Sequence, residues 1–577
     1  MKKTCSVFGW NLTKMSFTAQ QVKQKSNYVQ PFISTVFLLR SILSFLLCII
    51  YEALFSRCCP CLSSSSRQIS TLRPSSSSTD KSSTDKKTDQ VIAGKTNRGK
   101  VAVIGGGIAG TGCAWALAQD DFEVHLFESA PTVGGNAKTY VWPDGQRTGL
   151  SVLAWPEEYF NNYQALLSRL KITHSNVQLG FHIQNPMGED YIQGNMKASP
   201  LYRKHMSSVA GWERMVSFVR AVNRVFNCCP KRKSLYRMNM LNPLNVVPLR
   251  WLSIPFGVTR ECWDDIIVPM YASTFLTVQL DMVPSIILPI ISDIIPLKTP
   301  AVLRSWDQNS TCVFDAMLTQ VQQVHLNEPV TAVEQDPTTF LWSINGTHHG
   351  YDRVVFASNA KNVRECHKVL PNWLRVLFQN ITYTMETDDS MIVGDIHTDS
   401  NIFPFPNGSG GNGSGGTGTS SGTTKESLLA SSANFIQARR DAVTGDMKYT
   451  NTFILNSWIP SLEGQRALPR LVTYGAPKGN KGSEVGPNRS KVLDQVYNHW
   501  NHPHLTTVIL GAQYLLRYIQ GRNGVYFCGS LATPGNGHDL SFCSGMAVAC
   551  AIGAKYPFEK ESKCVDDFVL LKSLMGL

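Results

Sequence analysis

Residues 100–139 read KVAVIGGGIAGTGCAWALAQDDFEVHLFESAPTVGGNAKT, and the rest of the chain is organised around them. Val101–Ile104 is a short, apolar, β-branched run, the pattern of a buried parallel strand. Gly105-x-Gly107-x-x-Gly110 follows at once. Ala109–Gln119 reads as a helix with Ala114, Leu117 and Ala118 on its apolar face, and Val124–Phe127 as a second strand closed by Glu128. Strand, glycine turn, helix and strand make a βαβ unit with a phosphate-binding turn in the expected place.

Each residue type has a physical task. Gly105 permits the tight turn out of the strand. Gly107 lacks a Cβ, so a pyrophosphate can approach its backbone, and Gly110 lets the helix pack closely on the strands. Ile108 and Ala109 begin the helix, whose free N–H groups and partial positive charge favour an anion. Glu128, with Ser129 beside it, lies 18 residues past Gly110, where a carboxylate accepts from a ribose diol. An arginine there would suit a 2′-phosphate, so NADP is disfavoured.

Gly134-Gly135 decides between NAD and FAD. With this pair the sequence resembles the flavin amine oxidase and phytoene desaturase superfamily, in which a Gly-Gly pair after the acid contacts FAD. That superfamily often has Arg after the pair; this chain has Asn136. A narrower resemblance follows. Thr148, Gly149, Val152, Tyr159 and Asn161 are similar to a motif of amine-oxidase-like FAD proteins that accompany cyclopropane fatty acid synthases, with Leu150 where those have Phe. It implies that Gly149 and Leu150 lie near the isoalloxazine edge, and that Gly257–Phe275 is a substrate-domain helix. The superfamily also implies that the Val330 backbone contacts adenine.

The stretch NGVYFCGSLATPGNGHDLSFCSGMAVACAIGAK, residues 523–555, resembles the superfamily's second FAD motif. Val525–Cys528 reads as a strand, Gly529 as a turn, and Ser544-Gly545 as the opening of a helix of small residues. Ser530 stands where the superfamily commonly has an acid. His538 is either a substrate-orienting base or a structural histidine. NAD enzymes need no such distant return strand and helix, so FAD is the cofactor implied.

The 577 residues suffice for two or more domains, and 43% apolar content is ordinary for a globular chain. The net charge of +12 is concentrated toward the N-terminus. No nucleic-acid module with interleaved basic and aromatic residues occurs, so the charge is read as a membrane or targeting signal. Fifteen cysteines show no zinc spacing, and no metal site is read.

The organisation expected is a basic segment (1–30), a membrane anchor or targeting segment (31–55) and a disordered linker (56–99). The cofactor domain then alternates with a substrate domain. FAD-binding segments are 100–200, 306–365 and 516–577; substrate-domain segments are 201–305 and 366–515, the latter carrying a flexible Gly/Ser insertion at 407–424. Pro31–Phe55 is long enough to cross a bilayer, which needs ~20 apolar residues; a cleaved transit segment and an interfacial helix are the alternatives. Cys58, Cys59 and Cys61 beside it read as plain thiols, with palmitoylation as the alternative. Met282–Leu297 is strongly apolar but broken by three prolines, which excludes one continuous spanning helix. It reads as buried core or as the apolar wall of a substrate entrance. A helix is expected at Phe314–Val324.

The fold class expected is α/β: a doubly wound Rossmann-like FAD domain with a second, α+β substrate domain. The function implied is a membrane-associated FAD-dependent oxidoreductase that takes hydride from an apolar acyl or isoprenoid substrate, beside a separate lipid-modifying enzyme. An amine or polyamine oxidase and a non-catalytic FAD-fold scaffold are the alternatives. No catalytic residue is assigned; Lys448 and Lys478 are the lysines considered for a place near the flavin.

Overall fold

The computed structural model describes residues 98–226, 242–275, 280–365, 392–402, 432–441, 445–462, 469–475, 486–498, 503, 505–535 and 537–577. The N-terminal segments to residue 97, Cys228-Cys229, the Gly/Ser insertion and Lys478 lie outside them. Among the described residues no helix is long and apolar enough to cross a membrane; Pro31–Phe55 is not among them.

The apolar run after residue 99 forms β1 (Lys100–Ile104), flanked in a parallel sheet by β2 (Glu123–Phe127) and, much later in the chain, β13 (Arg353–Phe356). Outside these lie β9 (Gln323–His325) and β19 (Val525–Phe527), giving the order β19-β13-β1-β2-β9. Parallel strands need crossovers on the sheet faces. The Ile108–Ala118 helix is such a crossover, and every one of its residues is buried. Its other side packs on the Ala/Gly-rich helix His538–Ile552, with Trp115 against Phe542 and Phe558.

Two glycines let those helices approach closely, one against backbone and one against a ring. A Cβ on Gly545 would lie 2.1 Å from the Ala109 carbonyl oxygen, and one on Gly112 would lie 2.6 Å from the Phe542 ring. The two stretches that carry the superfamily resemblance, more than 400 positions apart, are therefore packed on each other.

Two antiparallel ribbons, β3 (Thr139–Val141) with β4 (Arg147–Gly149) and β5 (His174–Leu179) with β8 (Ala301–Trp306), accompany a second layer, a seven-stranded sheet of order β18-β14-β17-β16-β15-β6-β7. Its strands are β6 (Phe181–Gln184), β7 (Asp190–Ile192), β14 (Ile392–His397), β15 (Asn434–Arg440), β16 (Met447–Ile454), β17 (Leu471–Tyr474) and β18 (Val492–Asn498). All pairings are antiparallel except β15 with β6. Because β6 and β7 belong here, the chain leaves the parallel sheet before residue 200, earlier than the boundary expected from the sequence. Trp212, Trp263, Ile266 and Tyr271 fill the core between this sheet and the helices that precede residue 276.

Three elements differ from expectation. The helix expected at Phe314–Val324 is Thr311–Leu318, and the next apolar residues enter β9 instead. Apolar spacing at Val321 and Val324 fits either state, and parallel pairing with the β2 edge prevails. The C-terminal helix opens at His538, not at Ser544. The signal was present: Pro534 to Gly537 supplies a turn, and Asp539 puts an acid in the first helical turn. The helix after the Thr148 motif, which the sequence reads as opening near Glu157, opens at Asn161, because a turn at Pro156–Tyr159 precedes it.

Met282–Leu297 is a short 3₁₀ turn followed by the helix Leu288–Ile294, with Pro289 in its first turn, where a missing N–H costs nothing.

Candidate functional site

The strands of the parallel sheet end together, and a cavity of about 700 Å³ opens there. Its first wall is the glycine turn. Gly105, at φ +111°, fits between β1 and β13: a Cβ there would sit 2.7 Å from the Ala357 carbonyl oxygen. Gly110 serves the same end, since its Cβ would lie 1.9 Å from the Gly105 oxygen. Gly107 differs. The nearest atom to a Cβ on it is Gly135 Cα at 3.9 Å, so its open side is cavity. Ile108 and Ala109 line the space beside it, where the first-turn N–H groups have no intrahelical acceptor.

The Gly-Gly pair closes over this turn. The Gly134 N–H donates to the Gly106 carbonyl at 2.8 Å, and both glycines have positive φ, +124° and +57°. Glu128 ties the parts together. One carboxylate oxygen accepts from the Gly106 N–H at 2.7 Å, and the other from the Ala130 N–H at 2.8 Å and the Ser129 hydroxyl at 3.1 Å. A carboxylate has about four acceptor positions, so capacity remains for a diol. Glu128, Ser129, Gly134, Gly135, Asn136 and Val330 all line the cavity.

From the C-terminal stretch come Gly529, Ser530 and His538. Gly529, at φ +85°, faces Ala109, and its N–H donates to the Ser544 hydroxyl at 2.8 Å. Ser544 donates in turn to the Ser541 carbonyl. Its task is to hold the Gly529 turn; it does not line the cavity.

His538, at the start of its helix, packs edge-on against Tyr163 at 4.8 Å. Burial pushes its pKa down to about 3, so the imidazole is neutral. Its Nε2 is buried and lacks a partner among the described residues. A neutral ring is the form compatible with the positive end of a helix.

Gly110, Gly149, Leu150 and Ser544 do not line the cavity. Leu150 is 2% exposed and packs with Trp142 and Tyr474. The cavity is met instead by Ser151, Val152, Leu153 and Ala154, which follow it directly. Lys448 is exposed on β16 and does not line the cavity either.

Sequence reasoning missed two residues. Lys138, three positions after Gly135, is the one Lys or Arg among the described lining residues. Its Nζ donates to the Tyr497 carbonyl at 3.0 Å, and burial lowers its pKa. Its proximity to the Gly-Gly pair was the available signal. Asp539, fully buried, accepts from the Tyr163 N–H at 2.6 Å and so caps the Asn161–Leu170 helix from another element. No local pattern announces a cap supplied across the fold.

The far wall is apolar. Ile287, Ile290, Ile291, Ile294 and Ile295 line it, joined by Leu303, Phe453 and Trp458. The proline-broken stretch is thus both core and cavity wall. The acids that line the cavity, Glu128 and Glu328, belong to the nucleotide end.

Comparison with known proteins agrees with this geometry. The NAD(P)-binding Rossmann-like domain family matches residues 103–170. Against curated proteins, nothing matches the chain in sequence. Among solved structures, cyclohexylamine oxidase from Brevibacterium oxydans is similar over 79% of this chain and 98% of its own, at TM-score 0.53 and 12% identity. Putrescine oxidase bound to putrescine is similar over 79% and 98%, at 0.52 and 13%. A fatty acid isomerase from P. acnes, described as producing CLA, is similar over 78% and 98%, at 0.50 and 11%. At such identities the likeness is one of fold: a Rossmann-like nucleotide domain joined to an amine-oxidase-like second domain.

Proposed function

We propose that this chain is an FAD-dependent oxidoreductase acting on an apolar, acyl- or isoprenoid-like substrate. One observation carries the reading: a single cavity joins glycine cradles from both ends of the sequence to a wall of isoleucines. The residues fit FAD. Gly107 leaves room where a pyrophosphate must approach, Glu128 keeps acceptor capacity for a ribose, and the helices starting at Ile108 and His538 both begin at the cavity.

Bound FAD would supply hydride acceptance and return of the electrons to oxygen or another acceptor. The protein's part is positioning and exclusion of water. The isoleucine wall would bury a hydrocarbon chain at about 0.8 kcal/mol per methylene, so eight methylenes contribute on the order of 6 kcal/mol. His538, neutral and with Nε2 unpartnered among the described residues, is the group available to orient a substrate there. Lys138 is the lining cation and offers a carboxylate headgroup a partner.

A polyamine would need acids along its length, and among the described residues the lining acids, Glu128 and Glu328, lie at the nucleotide end; this favours the apolar reading over an amine oxidase. In this proposal Pro31–Phe55 holds the enzyme at a membrane, where such substrates dissolve, and a separate lipid-modifying enzyme acts on the same lipids, as the sequence resemblance to cyclopropane-associated FAD proteins implies.

The test is anaerobic reduction of the purified holoprotein. Bleaching of the flavin absorbance by unsaturated lipids or isoprenoids, and not by putrescine or spermidine, is the expected result. Bleaching by polyamines alone would replace this reading with amine oxidation.

A further inference from the structure

A second constellation lies behind the nucleotide end. His325 ends β9 and Glu328 lies three residues on. Beyond them, β10 (Val333–Gln335), β11 (Trp342–Ile344) and β12 (His348–Tyr351) form a small antiparallel sheet that returns His348 to the same turn. His325 Nδ1 lies 3.3 Å from one Glu328 oxygen, and His348 Nε2 lies 2.7 Å from the other. One donor atom from each residue falls within 4.8 Å of the other two.

The rings are held before any ligand arrives. Phe127 stacks flat on His325 at 4.5 Å and 5°, and meets His348 edge-on at 5.1 Å. The two imidazoles are 4.6 Å apart. Side chains already fixed by packing lose little rotamer freedom on binding. The three are 17%, 30% and 25% exposed, so solvent reaches the cluster and water can complete a coordination shell. The nearby Lys100 ammonium is offset by Glu123 at 3.3 Å.

We infer that His325, Glu328 and His348 bind a first-row divalent cation, with Zn²⁺ the best match. Two imidazoles and one carboxylate, with a position left for water, are an established donor set for this ion. Zinc bonds of about 2.0–2.2 Å place tetrahedral neighbours roughly 3.4 Å apart, which the cluster reaches by small side-chain movements. The ion would pin the turn from His325 to Val330. That turn is bonded to the cofactor site: the Glu328 N–H donates to the Glu128 carbonyl at 2.9 Å, and Glu328 itself lines the cavity. The cation would therefore brace the nucleotide end of the cradle. The site is independent of which substrate the enzyme oxidises.

Titration of metal-depleted full-length protein with ZnCl₂, followed by counting zinc per chain after gel filtration, tests this. One equivalent should be retained by the wild type. Glu328→Gln and His348→Asn should each weaken that binding at least about tenfold, and zinc should raise the unfolding temperature of the wild type more than that of either variant. His348→Asn keeps a polar group against Glu328 at a part-exposed position, so it should fold. Co²⁺ in place of zinc should give visible bands of nitrogen and oxygen ligation without thiolate charge transfer. Absence of a retained equivalent, or equal zinc binding in both variants, would overturn the assignment.

Discussion

The two sheets of this protein were built under different rules. The five-stranded sheet is parallel; its central strand β1 is buried and almost wholly apolar, and the turns after β1 and β19 run through Gly105 and Gly529. The seven-stranded sheet is mostly antiparallel, and its strands carry buried polar residues such as His397, Thr452 and Thr473 among apolar ones. The first sheet supplies backbone: N–H groups, a carboxylate and space. The second domain supplies side-chain surface, above all the isoleucine wall. Binding a cofactor through backbone constrains sequence tightly, because only glycine fits. Binding a substrate through apolar side chains constrains it loosely, because many side chains serve.

The largest effect is expected where the helices touch through backbone. Gly545→Val must displace the Ala109 carbonyl and should cost more than about 4 kcal/mol, seen as loss of soluble protein and of the cooperative thermal transition. A stable, folded variant would show that the helix contact is not essential to the first sheet.

Next is Gly107→Val. Its Cβ meets nothing closer than 3.9 Å within the protein, so the apoprotein should keep its circular dichroism while flavin occupancy falls to near zero. Full flavin retention would mean that the cradle lies elsewhere.

The wall should behave in the opposite way. Ile290→Asn should leave flavin content unchanged and raise KM for an apolar substrate by about 10- to 100-fold. Equal losses in flavin content and in KM would erase the proposed division of labour between the two regions.

The smallest effect is a shared response to acid. His538 at the cofactor side and His397 in the second sheet are both pushed down by burial, to about 3 and about 4. Unfolded, each takes up a proton near pH 6.5. Stability is therefore full above that pH and falls as the pH drops toward the folded values. Between pH 6.5 and 5 each contributes a loss of about 2 kcal/mol, measurable by urea unfolding. His397→Gln should remove its own share of that loss, leaving the rest to His538 and to His125, His174 and His325, which burial also lowers; an unchanged slope would show that His397 does not contribute.

Much of the first region was legible in advance. Gly105, Gly107, Glu128 and the Gly-Gly pair form a local code, because one turn, one approach and one hydrogen-bond distance each demand a residue type. The register of Gly149 and Leu150 was less legible: the resemblance points to this stretch of chain, but the cavity is met by the residues just after them. Ser544, which by sequence opens a helix, instead lies inside one and braces Gly529. Lys138 and Asp539 went unseen because their partners, Tyr497 and Tyr163, lie hundreds of positions away.

The amino-acid order by itself pointed to a strand running into a glycine turn and a buried helix near residue 100, since a β-branched apolar run, closely spaced glycines and an alanine-rich stretch each favour those elements in that order. It also determined that the apolar stretch after residue 281 cannot be one continuous helix, because proline lacks the N–H such a helix requires. Tertiary structure alone decided that this stretch faces the cofactor end and that His348 meets His325 and Glu328. It also decided which glycines open on the cavity and which on backbone. Those outcomes depend on distances between residues remote in the chain, and such distances are set by how two sheets and their helices pack, not by any local preference.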